Sequence, residues 1–302
     1  MPSQISANDF KTIGFGLRKN ETWRRRKGVQ QTRLFRGIYG ASPTTCECIW
    51  RDFDDAHADP VAFLVTLCWM KGYETEEKLA IDFEIPEKSI RDWCKIYATR
   101  IQFLKATKID VNWKPDGFIF FLSIDGTHCP INEPRPFSTT WSSHKFGGAA
   151  GVDYEIGLRV HESKVAWISG PYPAGTNDLT VFKDNLMNLL PNGKRVIADD
   201  AYSSAVDYAS CRNEFDPPEI AYFKERVMAR HESFNSRLKK FKCFVQKWRH
   251  DLSLHKIVFE AVCVTEQYQM EHGKPLLDPF PCIDRPFLIS NEYDSSGKSG
   301  LS

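Results

Sequence analysis

The stretch GFIFFLSIDG, residues 117–126, limits the fold more than any other part of the chain. Phe118 to Ile124 is nearly all apolar, and the run ends on Asp125. Such a short run, bounded by glycines, reads as a strand covered on both faces. A second run of the same kind, KRVIADD, again ends in acids, Asp199 and Asp200. Between the two, YEIGLRV and KVAWISG predict two strands joined by the short polar HES. NDLTVFKDNLMNLL predicts a helix with Leu179, Phe182, Leu186, Leu189 and Leu190 as its apolar positions. Three strands, a helix and a strand imply a mixed α/β sheet. In such sheets ligand chemistry collects at the carboxyl ends of central strands.

Asp125 and Asp199 occupy equivalent places, each expected just past an apolar strand. On neighbouring strands their carboxylates converge, and they repel each other unless a cation or a proton sits between them. Hard oxygen ligands in that arrangement favour Mg²⁺ or Mn²⁺. A single strand-end acid can equally cap a turn, so a third partner matters. Glu232, in RHESFNSRLKKFKCFVQKW, is that partner. The segment predicts a helix with Phe234, Leu238, Phe241 and Val245 facing the core and Glu232 near its start. Lys239 lies seven residues on, two turns along the same face, where it could reach a phosphate beside the metals. An acid among nine basic residues can also serve only an i,i+4 ion pair.

Charge is segregated along the chain. The net charge is +1, yet residues 1–40 carry nine Lys and Arg against Asp9 and Glu21. Residues 224–249 carry nine more against Glu225 and Glu232. Two basic stretches flanking a carboxylate set point to a polyanion such as DNA; the plainer alternative is a solvated helix face. The first stretch, RKNETWRRRKGVQQTRLFRG, contains Arg24, Arg25 and Arg26 and reads as a basic, partly disordered arm over residues 1–57. It could serve nuclear targeting, DNA contact or both.

Residues 58–110 read as helical. ADPVAFLVTLCWMKG predicts an apolar helix ending at Gly72, and TEEKLAIDFEIPEKSIRDWCKIYATRIQFL two helices around Ile85-Pro86-Glu87. Thr75 is the expected N-cap of the first, without the reciprocal half of a capping box because Lys78 stands at the third position. Leu79, Ala80 and Phe83, then Ile90, Trp93 and Cys94, are the inward positions. This is a helix-turn-helix pattern, and a purely structural helical subdomain is its alternative. The tail from residue 276, with its polar Ser/Gly-rich end, is expected to be disordered. No run of eighteen apolar residues and no secretory leader is present, so neither a membrane span nor secretion is expected, and the protein reads as intracellular. Nine scattered cysteines without a CxxC read as reduced core thiols, with Cys46 and Cys48 alone too little for zinc.

The ordered run IDGTHCPI, GPYPAGTNDLTVF, VIADDAY and HESFNSRLKKF resembles the DDE endonuclease domain of PIF/Harbinger-type transposases. The likeness extends over residues 58–250, and the 32 residues between Asp199 and Glu232 belong to it. The resemblance implies an RNase H-like fold over residues 115–275, with Asp125, Asp199 and Glu232 as catalytic metal ligands. Asp178 matches a further family acid, auxiliary, either orienting Asp125 or capping the following helix. Ala201 departs from the family's usual glycine. Asp200 is the fallback ligand should the strand register slip by one residue.

The reaction so implied is two-metal phosphoryl transfer on DNA, with two Mg²⁺ or Mn²⁺ ions holding water, 3′-hydroxyl and leaving oxygen in line. The basic arm, with Arg237, Lys239 and Lys240, would hold the DNA backbone, and Lys88 and Arg91 would read bases. The resemblance also makes a separate DNA-binding partner protein and a homo-oligomer plausible partners. Two other readings stay open: a transposase-derived DNA-binding protein that no longer cuts, and an RNase H-like nuclease acting on RNA or a repair intermediate.

Overall fold

The computed structural model describes residues 4–19, 27–53, 57–111, 118–136, 138–143 and 147–279. Two compact units emerge, one of residues 1–109, 130–132 and 237–275, the other of 110–129, 133–236 and 276–302. Residues 237–275 thus group with the helical part, whereas the sequence led us to expect a single domain over 115–275.

The first unit opens with α1 (Ala7–Leu17), α2 (Gly28–Tyr39), α3 (Pro43–Arg51), α4 (Pro60–Gly72), α5 (Glu76–Phe83), α6 (Glu87–Phe103) and the short α7 (Lys105–Lys108). The segment expected to be a basic arm therefore holds three helices, because each carries an apolar face. Phe10, Phe35, Tyr39, Ile49 and Trp50 are all buried. Ser6, Ser42, Asp59 and Thr75 cap α1, α3, α4 and α5, each accepting a backbone N–H of the first turn. Helix α4 is the centre of the unit: every residue from Ala62 to Met70 is buried, as expected of a helix apolar all round. Lys78 leaves the α5 cap unreciprocated, its ammonium pairing with Asp82 instead. Ile90 and Cys94 face inward from α6, while Trp93 is half-buried.

The second unit is a five-stranded mixed sheet in the order β3-β2-β1-β4-β5. Its strands are β1 (Phe120–Pro130), β2 (Gly151–Arg159), β3 (Val165–Pro173), β4 (Arg195–Ile197) and β5 (Ala209–Ser210). The β2–β3 pair is the expected antiparallel hairpin, and β4 runs parallel to both β1 and β5. Helix α8 (Asp178–Asp184) covers one face, where Phe182 joins Leu122, Ile124, Val196 and Ala198. The predicted helix does not continue to Leu190. It breaks at Asn185, whose side-chain amide donates to the Val181 carbonyl and so competes with the helical ladder. Helix α9 (Pro218–Leu238) covers the other face, packing Ile220, Phe223 and Val227 on Phe120, Val160 and Ile197.

The chain then returns to the first unit through α10 (Leu252–Glu271), a helix buried on nearly every side. Several of its polar groups are matched: Glu260 accepts from Gln102 and Lys105, each at 2.7 Å, and Gln269 donates to the Gly40 carbonyl. Phe241 is buried, against Gly40, but Val245 is exposed rather than in the core as the helical spacing implied, because the helix stops at Leu238. The eight described cysteines are free thiols, with Cys46 and Cys48 buried in α3. Among the described residues no helix is long and apolar enough to cross a membrane.

Candidate active site

Asp125 lies inside β1 rather than past its end. The strand continues because the two-residue period does, with Thr127 and Cys129 buried in alternation. Ser123 of β1 pairs with Ile197 of β4 in parallel register. Two residues beyond that pair stand Asp125, still inside β1, and Asp199, two residues past the end of β4. Asn235 of α9 donates its side-chain amide to Asp125 Oδ2 at 2.9 Å. Asp199 Oδ1 accepts the Ala201 N–H at 3.1 Å, capping the 3₁₀ turn Asp200–Tyr202. Ala201 lies outside the left-handed region, so a side chain there carries no backbone penalty. Asp200 instead lines a cleft of about 140 Å³ beside Arg195, Ser203, Ser210 and Cys211.

Glu232 is in the last third of α9, not near its start, because the apolar spacing of Ile220, Phe223 and Val227 extends the helix back to Pro218. Its carboxylate is exposed. His231 and Asn235, on either side of it, both reach β1: the His231 ring donates from Nε2 to the Ser123 carbonyl at 2.8 Å. Burial pushes the His231 imidazole down to about 4, so it is neutral, with Nδ1 buried and unpartnered among the described residues. Lys239 directly follows the last residue of α9.

Asp178 opens α8, with its carboxylate near Gly126. A Cβ on Gly126 would stand 3.1 Å from Asp178 Oδ1, so the glycine after Asp125 makes room for that carboxylate. Tyr202, buried against Phe182, has its phenol pushed well up by burial and then by the charges of Glu155, Asp178, Asp125 and Asp199. The negative charge of these four carboxylates is felt at one ring. Glu155, on β2, is the one the sequence did not single out. Its carboxyl is pushed up to about 7 by burial and, less strongly, by Asp178, although Trp167 donates to Oε1 at 2.9 Å.

The basic residues divide differently from expectation. Arg24, Arg25 and Arg26 lie outside the described residues. Lys88 pairs with Asp92 at 3.0 Å and Arg91 with Glu87, so this face of α6 carries as much negative as positive charge. Most of the 224–249 cluster is consumed internally. Lys224 is buried on Asp216, Arg230 donates to the carbonyls of Arg159, Val160 and Glu162, and Arg249 to those of Tyr73 and Glu74. Arg237 donates to the carbonyls of Lys274 and Pro275 at 2.7 and 3.1 Å. Guanidinium groups satisfy buried carbonyls with several donors at once, a use that charge counting cannot distinguish from a phosphate surface. Lys240 remains exposed and Lys239 half-buried.

Among the described residues, no three His, Cys, Asp or Glu side chains lie close enough together to hold a metal ion. The donor chemistry nevertheless fits a hard cation. Asp125 and Asp199 offer carboxylate oxygens, and the Oδ1 of Asn235, whose Nδ2 donates to Asp125, is buried with no hydrogen-bond partner among the described residues. Asn235 and His231 were missed in the sequence because neither is an acid. Their spacing of four, flanking Glu232, was the available signal.

Residues 124–265 match the family model of the DDE superfamily endonuclease. No curated protein matches the chain. Among solved structures, the chain is similar to the Mos1 transposase paired-end complex with left transposon end at 11% identity. That similarity covers 88% of this chain and 96% of that one with a TM-score of 0.25.

Proposed function

We propose that this chain, matched over residues 124–265 to a DDE superfamily endonuclease, is a metal-dependent DNA endonuclease of the PIF/Harbinger transposase type, built on an RNase H-like sheet. The observation that supports the reading is the parallel pairing of β1 with β4, whose last pair, Ser123 and Ile197, stands two residues before Asp125 and Asp199, on a sheet covered by the helix that bears Glu232. Asp125, Asp199 and Glu232 are the proposed ligands for two Mg²⁺ or Mn²⁺ ions, with Asp178 auxiliary from its place near Gly126. A bound divalent cation supplies positive charge against the repelling carboxylates and against the charge that develops on a phosphodiester under attack. The chain's own residues preorganise the site. Asn235 and the Ala201 N–H hold Asp125 and Asp199 in place, and neutral His231 fastens α9 to β1.

DNA is the proposed substrate and partner. Arg24, Arg25 and Arg26 would act on its backbone together with Lys239 and Lys240, and the α5–α6 pair as a helix-turn-helix. A nuclear location, a separate DNA-binding partner protein and a homo-oligomer belong to the same reading. The test is cleavage of DNA by the purified full chain in Mg²⁺ or Mn²⁺. Asp125→Asn, Asp199→Asn and Glu232→Gln each remove the negative charge a hard cation requires, and each is expected to abolish cleavage. Folding stability should hold or rise as repulsion is relieved. Asp200→Asn, which alters the neighbouring cleft, should keep substantial activity. If Asp200→Asn is dead while Asp199→Asn cuts, the register is wrong by one residue. If the unmodified chain binds DNA and never cuts with either metal, a binding protein derived from a transposase is the better reading.

A further inference from the structure

We infer that Asn235 is a cation ligand alongside Asp125, supplying a neutral carbonyl oxygen while its N–H fixes the Asp125 carboxylate; this rests on the reading of Asp125 as a metal ligand. The amide has two ends with different fates. Nδ2 donates to Asp125 Oδ2 at 2.9 Å, and Oδ1 is buried with no partner among the described residues. Turning the amide over would set Oδ1 against a carboxylate and lose the donor, so the orientation is decided by charge. An amide oxygen shut away from water without a donor is a costly arrangement for a side chain to keep, unless another electropositive group takes it.

The position is also built. His231 and Asn235 are four residues apart on α9, a rise of about 6 Å, and their targets Ser123 and Asp125 are two apart on β1, about 6.6 Å. The two contacts therefore run in step along helix and strand, and Asn235 has little freedom to slide. Glu232, three residues before Asn235, is its neighbour on the helix surface, so the amide belongs to the same stretch of α9 as the proposed third ligand. A neutral oxygen suits this setting, because it adds a hard donor without adding to the repulsion among the acids.

The experiment is a Mn²⁺ titration of the full chain followed by electron paramagnetic resonance, with circular dichroism to confirm folding. Asn235→Ala, which removes oxygen and N–H together, should weaken Mn²⁺ binding by at least about tenfold. Asn235→Asp keeps an oxygen in place and should bind Mn²⁺ as tightly as the unmodified chain, or more tightly. Should Asn235→Ala fail to fold, Asn235→Leu fills the space without an amide and carries the same expectation. Equal weakening in the Ala and Asp variants means that the N–H to Asp125 is all this residue contributes, and overturns the ligand role; so does unchanged binding in the Ala variant. If Asp125→Asn leaves Mn²⁺ binding intact, or the unmodified chain binds none, the active-site reading itself fails, and this inference with it.

Discussion

Acid should loosen the sheet unit through one imidazole. His231 is fully buried, its Nε2–H is committed to the Ser123 carbonyl, and burial lowers its pKa from the ordinary 6.5 to about 4. Above pH 6.5 the ring is neutral whether the chain is folded or not, and the contact is at full strength. As pH falls below 6.5 the unfolded chain takes up a proton that the folded chain refuses, so stability is lost until about pH 4, where the folded ring also protonates. One proton is worth about 1.4 kcal/mol per pH unit, so His231 alone accounts for about 3 kcal/mol across that window. The perturbation is His231→Gln, which keeps an N–H donor and does not titrate. The assay is urea unfolding at half-unit pH steps from 7 to 4, comparing slopes between the two proteins. Buried His255 has its pKa lowered to about 3 and contributes a slope of its own, but it does so in both proteins and cancels in the comparison. The unmodified chain should be steeper by about 1.4 kcal/mol per pH unit between pH 6 and 4.5. Equal slopes would refute the account of a neutral, charge-excluding His231.

Glu155 has the opposite sign. Its pKa is raised to about 7 by burial, so the stability it contributes below pH 4.5 is lost as pH rises towards 7, and Glu155→Gln should stabilise the chain at pH 8 by up to about 3 kcal/mol. Thermal melts at pH 5 and 8 check it: a gain equal at both pH values would contradict the titration argument. Arg230→Met leaves the carbonyls of Arg159, Val160 and Glu162 without their donor in a buried setting, and should cost at least about 3 kcal/mol in urea unfolding. An unchanged unfolding midpoint would mean that water replaces the guanidinium there.

The parts of the fold that were legible from sequence are those in which one residue's neighbours along the chain determine its environment. The apolar run into Asp125, the β2–β3 hairpin and the Thr75 cap all depend on local pattern, and all are present. Strand β5 could not be read, because two residues carry no period. Helix α10 was overlooked because burial on nearly every side removes the polar face that marks a surface helix, and its Glu and Gln residues find partners far away in the chain. The internal bonds of several basic residues of the 224–249 cluster were hidden for a related reason. A guanidinium that serves three carbonyls looks, in sequence, the same as one that faces solvent. For the site, the acids could be nominated from strand ends, but Asn235 and Glu155 enter it only through the sheet's pairing and the seating of α9, which are long-range facts.

Tyr202 offers a consequence of a practical kind. It is one of ten tyrosines in the chain, and its proton is retained first by burial and then by the negative charge of Glu155, Asp178, Asp125 and Asp199. In an alkaline titration its phenolate absorbance should therefore appear after that of the tyrosines exposed to solvent. Each positive charge brought in among Asp125, Asp178, Asp199 and Glu155 removes part of what holds that proton, and the ionisation shifts towards neutral pH. The ring is an optical gauge of the charge around it, with no label attached and no substrate consumed.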